Sequence, residues 1–101
     1  MEPDSYKMIV TIVNKGKAGK VVDISHQAGA VGGTIIPGHG AAVRLMLGVN
    51  IEPEKEIVLT LIDADKVQTV LEAIVQEMEL NEPNKGIVFV LSLDQVTGIR
   101  Q

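Results

Sequence analysis

EKEIVLTLIDADKVQTVLEAIVQEM, residues 54–78, changes its hydrophobic period halfway along. Through residues 54–62 it is dense in apolar and β-branched side chains and reads as a strand. From there the apolar positions are Val67, Val70, Leu71, Ile74, Val75 and Met78, the spacing of one helix face, and Asp63 or Asp65 stands where a helix cap belongs. The breaker string Asn81-Glu82-Pro83-Asn84-Lys85-Gly86 follows, and residues 87–93 (IVFVLSL) read as another strand. This half of the chain is strand, helix, strand.

The half before it has the same order. Residues 6–13 (YKMIVTIV) form a strand closed by Asn14-Lys15-Gly16. Over residues 17–28, Ala18, Val21, Val22, Ser25 and Ala28 fall at helical spacing, Lys17, Lys20, Asp23 and Gln27 take the outward positions, and Gly29 marks the helix end. Residues 29–40, GAVGGTIIPGHG, hold half of the ten glycines and place a short second strand, 32–36, between tight turns. Residues 41–53 (AAVRLMLGVNIEP) have no clean period and read as a connection, though an apolar one. Two strand–helix–strand units in one domain spanning residues 1–101 predict an α+β, ferredoxin-like βαββαβ sandwich, a four-stranded antiparallel sheet with two helices on one face.

The strands are apolar on both faces. Ile9 and Val13 alternate with Met8, Val10 and Ile12; Val58 and Ile62 with Ile57, Leu59 and Leu61; Val88 and Val90 with Ile87, Phe89 and Leu91. Two helices cover one face only, so the other is expected against neighbouring subunits. Burying about 600 Å² of apolar surface per subunit at ~25 cal/mol per Å² contributes roughly 15 kcal/mol gross, comparable to the stability of a small domain. An obligate oligomer is the expectation.

Composition sets further bounds. With 101 residues, 46% of them hydrophobic, and a net charge of −4, the chain is of the ordered globular kind. Its acidic balance and two aromatics, Tyr6 and Phe89, are the opposite of a nucleic-acid surface, so no nucleic-acid partner is expected. Met1–Ser5 is MEPDS, with neither the basic nor the apolar part of a secretory signal, and the apolar runs are strand-sized; the expectation is a cytoplasmic protein without a membrane span. The absence of cysteine excludes disulfides, thiolate nucleophiles and thiolate zinc sites.

Gly32-Gly33-Thr34 leading to Gly38-His39-Gly40, the stretch 56–61 and the stretch 86–99 with its V-T-G-I-R segment stand in an order and spacing that resemble the P-II signal-transduction family, in particular its short-loop P-II-like members. The resemblance covers nearly the whole chain. It implies a homotrimer with sheets facing the axis and sites for a small effector, ADP or ATP, in the clefts between subunits; no permanent cofactor follows from it. The implied site residues are Gly38, His39 and Gly40 at the root of the loop, Asn84, Lys85 and Gly86 in the turn before the last strand, Thr34 at the base, and Arg100 from the C-terminal segment. Lys85 and Arg100 would supply charge and Gly86 and its neighbours backbone N–H groups. The loop would signal to a partner protein such as a transporter or an enzyme.

The departures from the family pattern have consequences. The turn before the last strand is poorer in glycine, and Ile87 stands where the family carries a phosphate-binding lysine. Ala42 replaces the glutamine that helps bind magnesium and 2-oxoglutarate, so sensing of 2-oxoglutarate is expected to be absent. The loop carries neither of the residues, tyrosine or serine, that some members modify.

Other motifs weigh against chemistry. Neither a nucleophile–base pair nor paired carboxylates stand out, so no catalytic residue is assigned and the chain is not read as an enzyme. His39, flanked by glycines, reads equally as a ligand contact and as a solvent-facing loop histidine, with no charged partner in sequence; His26 reads as a helix-surface residue. Neither histidine has metal-ligand spacing, so no metal residue is assigned. Lys15, Lys17 and Lys20 read as a solvated helix start, and Glu52, Glu54 and Glu56 as charges guarding a strand against aggregation. Val43, Leu45, Met46, Leu47, Val49 and Ile51 read as a surface packed on an adjacent subunit or offered to a partner. The alternatives are a metal-responsive trimer resembling the divalent-cation tolerance proteins and an oligomeric interaction module without a small ligand.

Overall fold

The computed structural model describes residues 6–41 and 53–99. Strand β1 is Tyr6–Asn14, helix α1 Ala18–Gln27, β2 Thr34–His39, β3 Glu54–Asp63, helix α2 Val67–Glu77 and β4 Ile87–Ser92. All neighbouring strands are antiparallel and lie in the order β2-β3-β1-β4, the expected ferredoxin-like α+β sandwich.

Register divides the sheet into two unlike faces. Ile9, Thr11 and Val13 of β1 share a face with Val58 and Thr60 of β3, and α1 and α2 pack on it. Ala18, Val21 and Ile24 from α1 and Val70, Ile74 and Met78 from the α2 end close the core over Ile9, Val13, Val58 and Ile62. The other face carries Ile12 beside Ile57 and Ile87, Val10 beside Leu59 and Phe89, and Met8 beside Leu61 and Leu91. No helix among the described residues covers it, and Ile87, Phe89 and Leu91 remain 41–54% exposed.

Several local expectations are corrected. Helix α2 has no aspartate cap: a 3₁₀ turn, Ala64–Lys66, intervenes, and neither Asp63 nor Asp65 caps with its side chain. β2 is not 32–36 but Thr34–His39, because its limits are set by pairing with β3, where Pro37 lies opposite Glu56. Proline is tolerated there since β2 is an edge strand. Of the glycines in 29–40, only Gly29 has a positive φ, +123°; its N–H donates to the His26 carbonyl and that of Ala30 to the Ser25 carbonyl, a Schellman closure of α1. Helix α2 ends in the same pair of bonds, with Glu79 at φ +57° in the glycine position.

Candidate functional site at one end of the sheet

The end of β1, the end of β2 and the starts of β3 and β4 meet at one end of the sheet, because antiparallel pairing sets Asn14 opposite Lys55, His39 opposite Glu54 and Ile12 opposite Ile87. Gly38, His39, Gly40, Asn84, Lys85 and Gly86 are therefore brought to the same end. Thr34 is not at this end: it sits midway along the open face, opposite Leu59. Gly38 is four steps further along the strand, about 13 Å at ~3.3 Å per residue. Arg100, Ala42 and the apolar positions of the connection lie outside the described residues.

Three consecutive residues at the start of β3 hold this end together, each bonding to a different segment. Glu54 Oε2 lies 3.2 Å from His39 Nδ1 across the β2–β3 pair, with both side chains more than half exposed. Lys55, on the opposite face, donates from Nζ to Asn14 Oδ1 at 2.6 Å. Glu56 Oε1 accepts from the Gly16 and Ala18 N–H groups, 2.9 Å each. A carboxylate there satisfies two donors at the start of α1 and opposes the positive end of the helix dipole, so Glu56 is a cap supplied from another strand. It is more than the solvent-facing guard expected of it.

The glycines of the loop root make room for this packing. A Cβ at Gly38 would meet Ile57 Cδ1 at 3.3 Å, and one at Gly40 would meet Lys55 Cε at 3.1 Å, so both lie under side chains of β3. The Gly40 N–H donates to the Pro53 carbonyl at 2.6 Å and closes the root. Alternation puts Gly38 on the open face with Lys55, and His39 on the other face with Glu54.

The turn before β4 is built tightly. Asn84 has φ +63° and Gly86 φ +140°, and a Cβ at Gly86 would lie 2.6 Å from the Ile12 carbonyl oxygen. Only glycine fits that position. The Asn84 carbonyl accepts from Asn14 Nδ2 at 3.2 Å. Lys85 is turned toward the helices, its Nζ 3.3 Å from Glu79 Oε1, and borders a cavity of about 340 Å³ with Asn14, Lys17, Lys20 and Glu77. Lys55 is thus the lysine that shares the open face with Gly38 and Thr34. The sequence reading gives Lys55 no role, Asn14 only that of a strand end and Glu56 only that of a guarding charge, because their bonds depend on cross-strand register; the alternation within 54–56 is the available signal.

Among the described residues no three His, Cys, Asp or Glu side chains gather into a metal-binding group, and no helix is long and apolar enough to cross a membrane.

Residues 6–101 match the family described as nitrogen regulatory protein P-II. No curated protein gives a significant match. Among solved structures the chain is similar to CPII from Thiomonas intermedia K12, determined with ADP, AMP and acetate, with 21% identity, a TM-score of 0.66 and coverage of 85% of this chain and 83% of that one. It is also similar to GlnK of B. subtilis, at 20% identity, TM-score 0.65 and 87% and 84% coverage. A putative PII-like signaling protein from Thermus thermophilus aligns at 18% identity and TM-score 0.65, over 84% and 82%.

Proposed function

Because the chain belongs to the nitrogen regulatory protein P-II family, we propose that it is a homotrimeric cytoplasmic regulator, and not an enzyme, that binds an adenine nucleotide, ADP or ATP, between subunits and signals through the β2–β3 connection to a transporter or an enzyme. The observation that carries the reading is the apolar sheet face that no helix among the described residues covers, which continues to the end where the loop root and the β4 turn meet. An assembly that buries Ile87, Phe89 and Leu91 brings a neighbouring chain alongside this end and makes a cleft.

Within that cleft the base lies toward Thr34 and the phosphates toward Gly38, Gly40 and the Asn84–Lys85–Gly86 turn. Lys55 on the open face and Arg100 supply positive charge. Lys85 contributes charge only on leaving Glu79, and His39, on the other face, holds the loop root through Glu54 in place of touching the ligand. The ADP and AMP in the Thiomonas protein support an adenine nucleotide as the effector class.

Calorimetric titration with ADP tests this reading, run on the native chain and on Arg100→Ala. Saturable micromolar binding that weakens in the variant is expected. No heat at millimolar ADP would contradict the nucleotide assignment.

A further inference from the structure

We infer that Asn14 is a joint that sets the α2–β4 turn and the root of the β2–β3 connection together, a conformational device at the site proposed above. A primary amide both donates and accepts, and Asn14 uses both capacities in different directions. Its Oδ1 accepts from Lys55 Nζ at 2.6 Å, and its Nδ2 donates to the Asn84 carbonyl at 3.2 Å. Lys55 in turn lies across the loop root, its Cε beside Gly40, whose N–H is bonded to the Pro53 carbonyl. One continuous series of contacts therefore runs from the turn through Asn14 and Lys55 to the root.

The two ends are prepared for such a joint. In the turn, Asn84 is in the left-handed region and Gly86 is pinned against the Ile12 carbonyl, so the orientation of the Asn84 carbonyl is tied to a backbone with few alternatives. At the root, Lys55 has three donor hydrogens and a single hydrogen-bond acceptor among the described residues, Asn14. An anion reaching the open face competes with Asn14 for the ammonium group. When Lys55 leaves, Asn14 loses its charged anchor and its grip on the Asn84 carbonyl relaxes, so the root and the turn change state together. Aspartate at position 14 would keep the bond to Lys55 and lose the one to Asn84, since a carboxylate cannot donate; leucine would lose both.

The significance for signalling rests on the proposed function, but the joint is tested without nucleotide. Amide hydrogen exchange followed by NMR is measured on the native chain, Asn14→Asp, Asn14→Leu and Lys55→Met, with far-UV circular dichroism to verify folding. The expected result is a tenfold or greater loss of protection at the Glu82 amide, which donates to the Glu79 carbonyl at 2.9 Å, and shifted Asn84–Gly86 resonances in Lys55→Met, although Lys55 is not bonded to that turn. Asn14→Asp is expected to disturb the turn but leave the Gly40 amide protected, and Asn14→Leu to disturb both. A Lys55→Met chain whose turn amides exchange and resonate as in the native chain overturns the joint, as does equal disturbance of the root by Asn14→Asp and Asn14→Leu. Should Lys55→Met fail to fold, the two Asn14 variants decide by themselves. Titration of the native chain with ADP is read separately: absence of binding defeats the nucleotide reading and leaves the free-state coupling decided by the exchange data.

Discussion

The two faces of the sheet are built from nearly the same residue types and live in different surroundings. On the covered face Ile9, Val13 and Val58 are completely buried under α1 and α2. On the other face Ile87, Phe89 and Leu91, in the same sheet and likewise apolar, keep two-fifths or more of their surface. Among the described residues, helices cover the first face and none covers the second. Local composition sets how apolar a strand is, while topology decides which apolar side the helices cover, and the remainder is the surface the proposed assembly would bury.

The contrast is broken most severely by placing a charge on the uncovered face. Phe89→Asp is expected to abolish self-association at all accessible concentrations and to remove the concentration dependence of thermal unfolding; analytical ultracentrifugation and melting at several protein concentrations measure both. Ile9→Ala, on the covered face, is expected to cost about 3–4 kcal/mol in urea unfolding while the chain still self-associates, because it opens a cavity inside the subunit. An equal loss of association in both variants would erase the distinction between the faces.

Where the faces meet the site, Gly86→Ala is expected to cost about 2–3 kcal/mol, since a left-handed φ and a clash with the Ile12 carbonyl are imposed together. Urea unfolding measures it. The smallest effect has the opposite sign. The Thr11 and Thr60 hydroxyls are wholly buried on the covered face and have no hydrogen-bond partner among the described residues. Thr60→Val, of nearly the same shape, is expected to stabilise the chain by about 1 kcal/mol, read from the urea midpoint.

Much of the fold was legible because periodicity is local. β1, α1, β3, α2 and β4 fall within one or two residues of the sequence reading, and the alternation of β1, β3 and β4 identified both faces. β2 was misplaced because its apolar run is only Ile35-Ile36, and the pairing that extends it to His39 is a property of β3. At the site, the sequence brought out the glycines and the turn but not the bonds between segments. His39 has a charged neighbour after all: Glu54 lies fifteen residues away in sequence and directly across the ladder. Glu56 capping α1 and Asn14 linking Lys55 to Asn84 span 38 to 70 residues and leave no periodic trace. The resemblance gives Lys85 a charge-supplying role, and in the free chain its Nζ lies 3.3 Å from Glu79 Oε1, a residue with a left-handed φ of +57° just past α2.

Native mass spectrometry of the intact protein with and without ADP tests the central claim most directly, because it counts chains and nucleotides in one spectrum. The account predicts an assembly of three chains, each 10.8 kDa, that takes up as many as three ADP molecules. A single chain as the only species, or a three-chain assembly whose mass does not change with ADP, would contradict it.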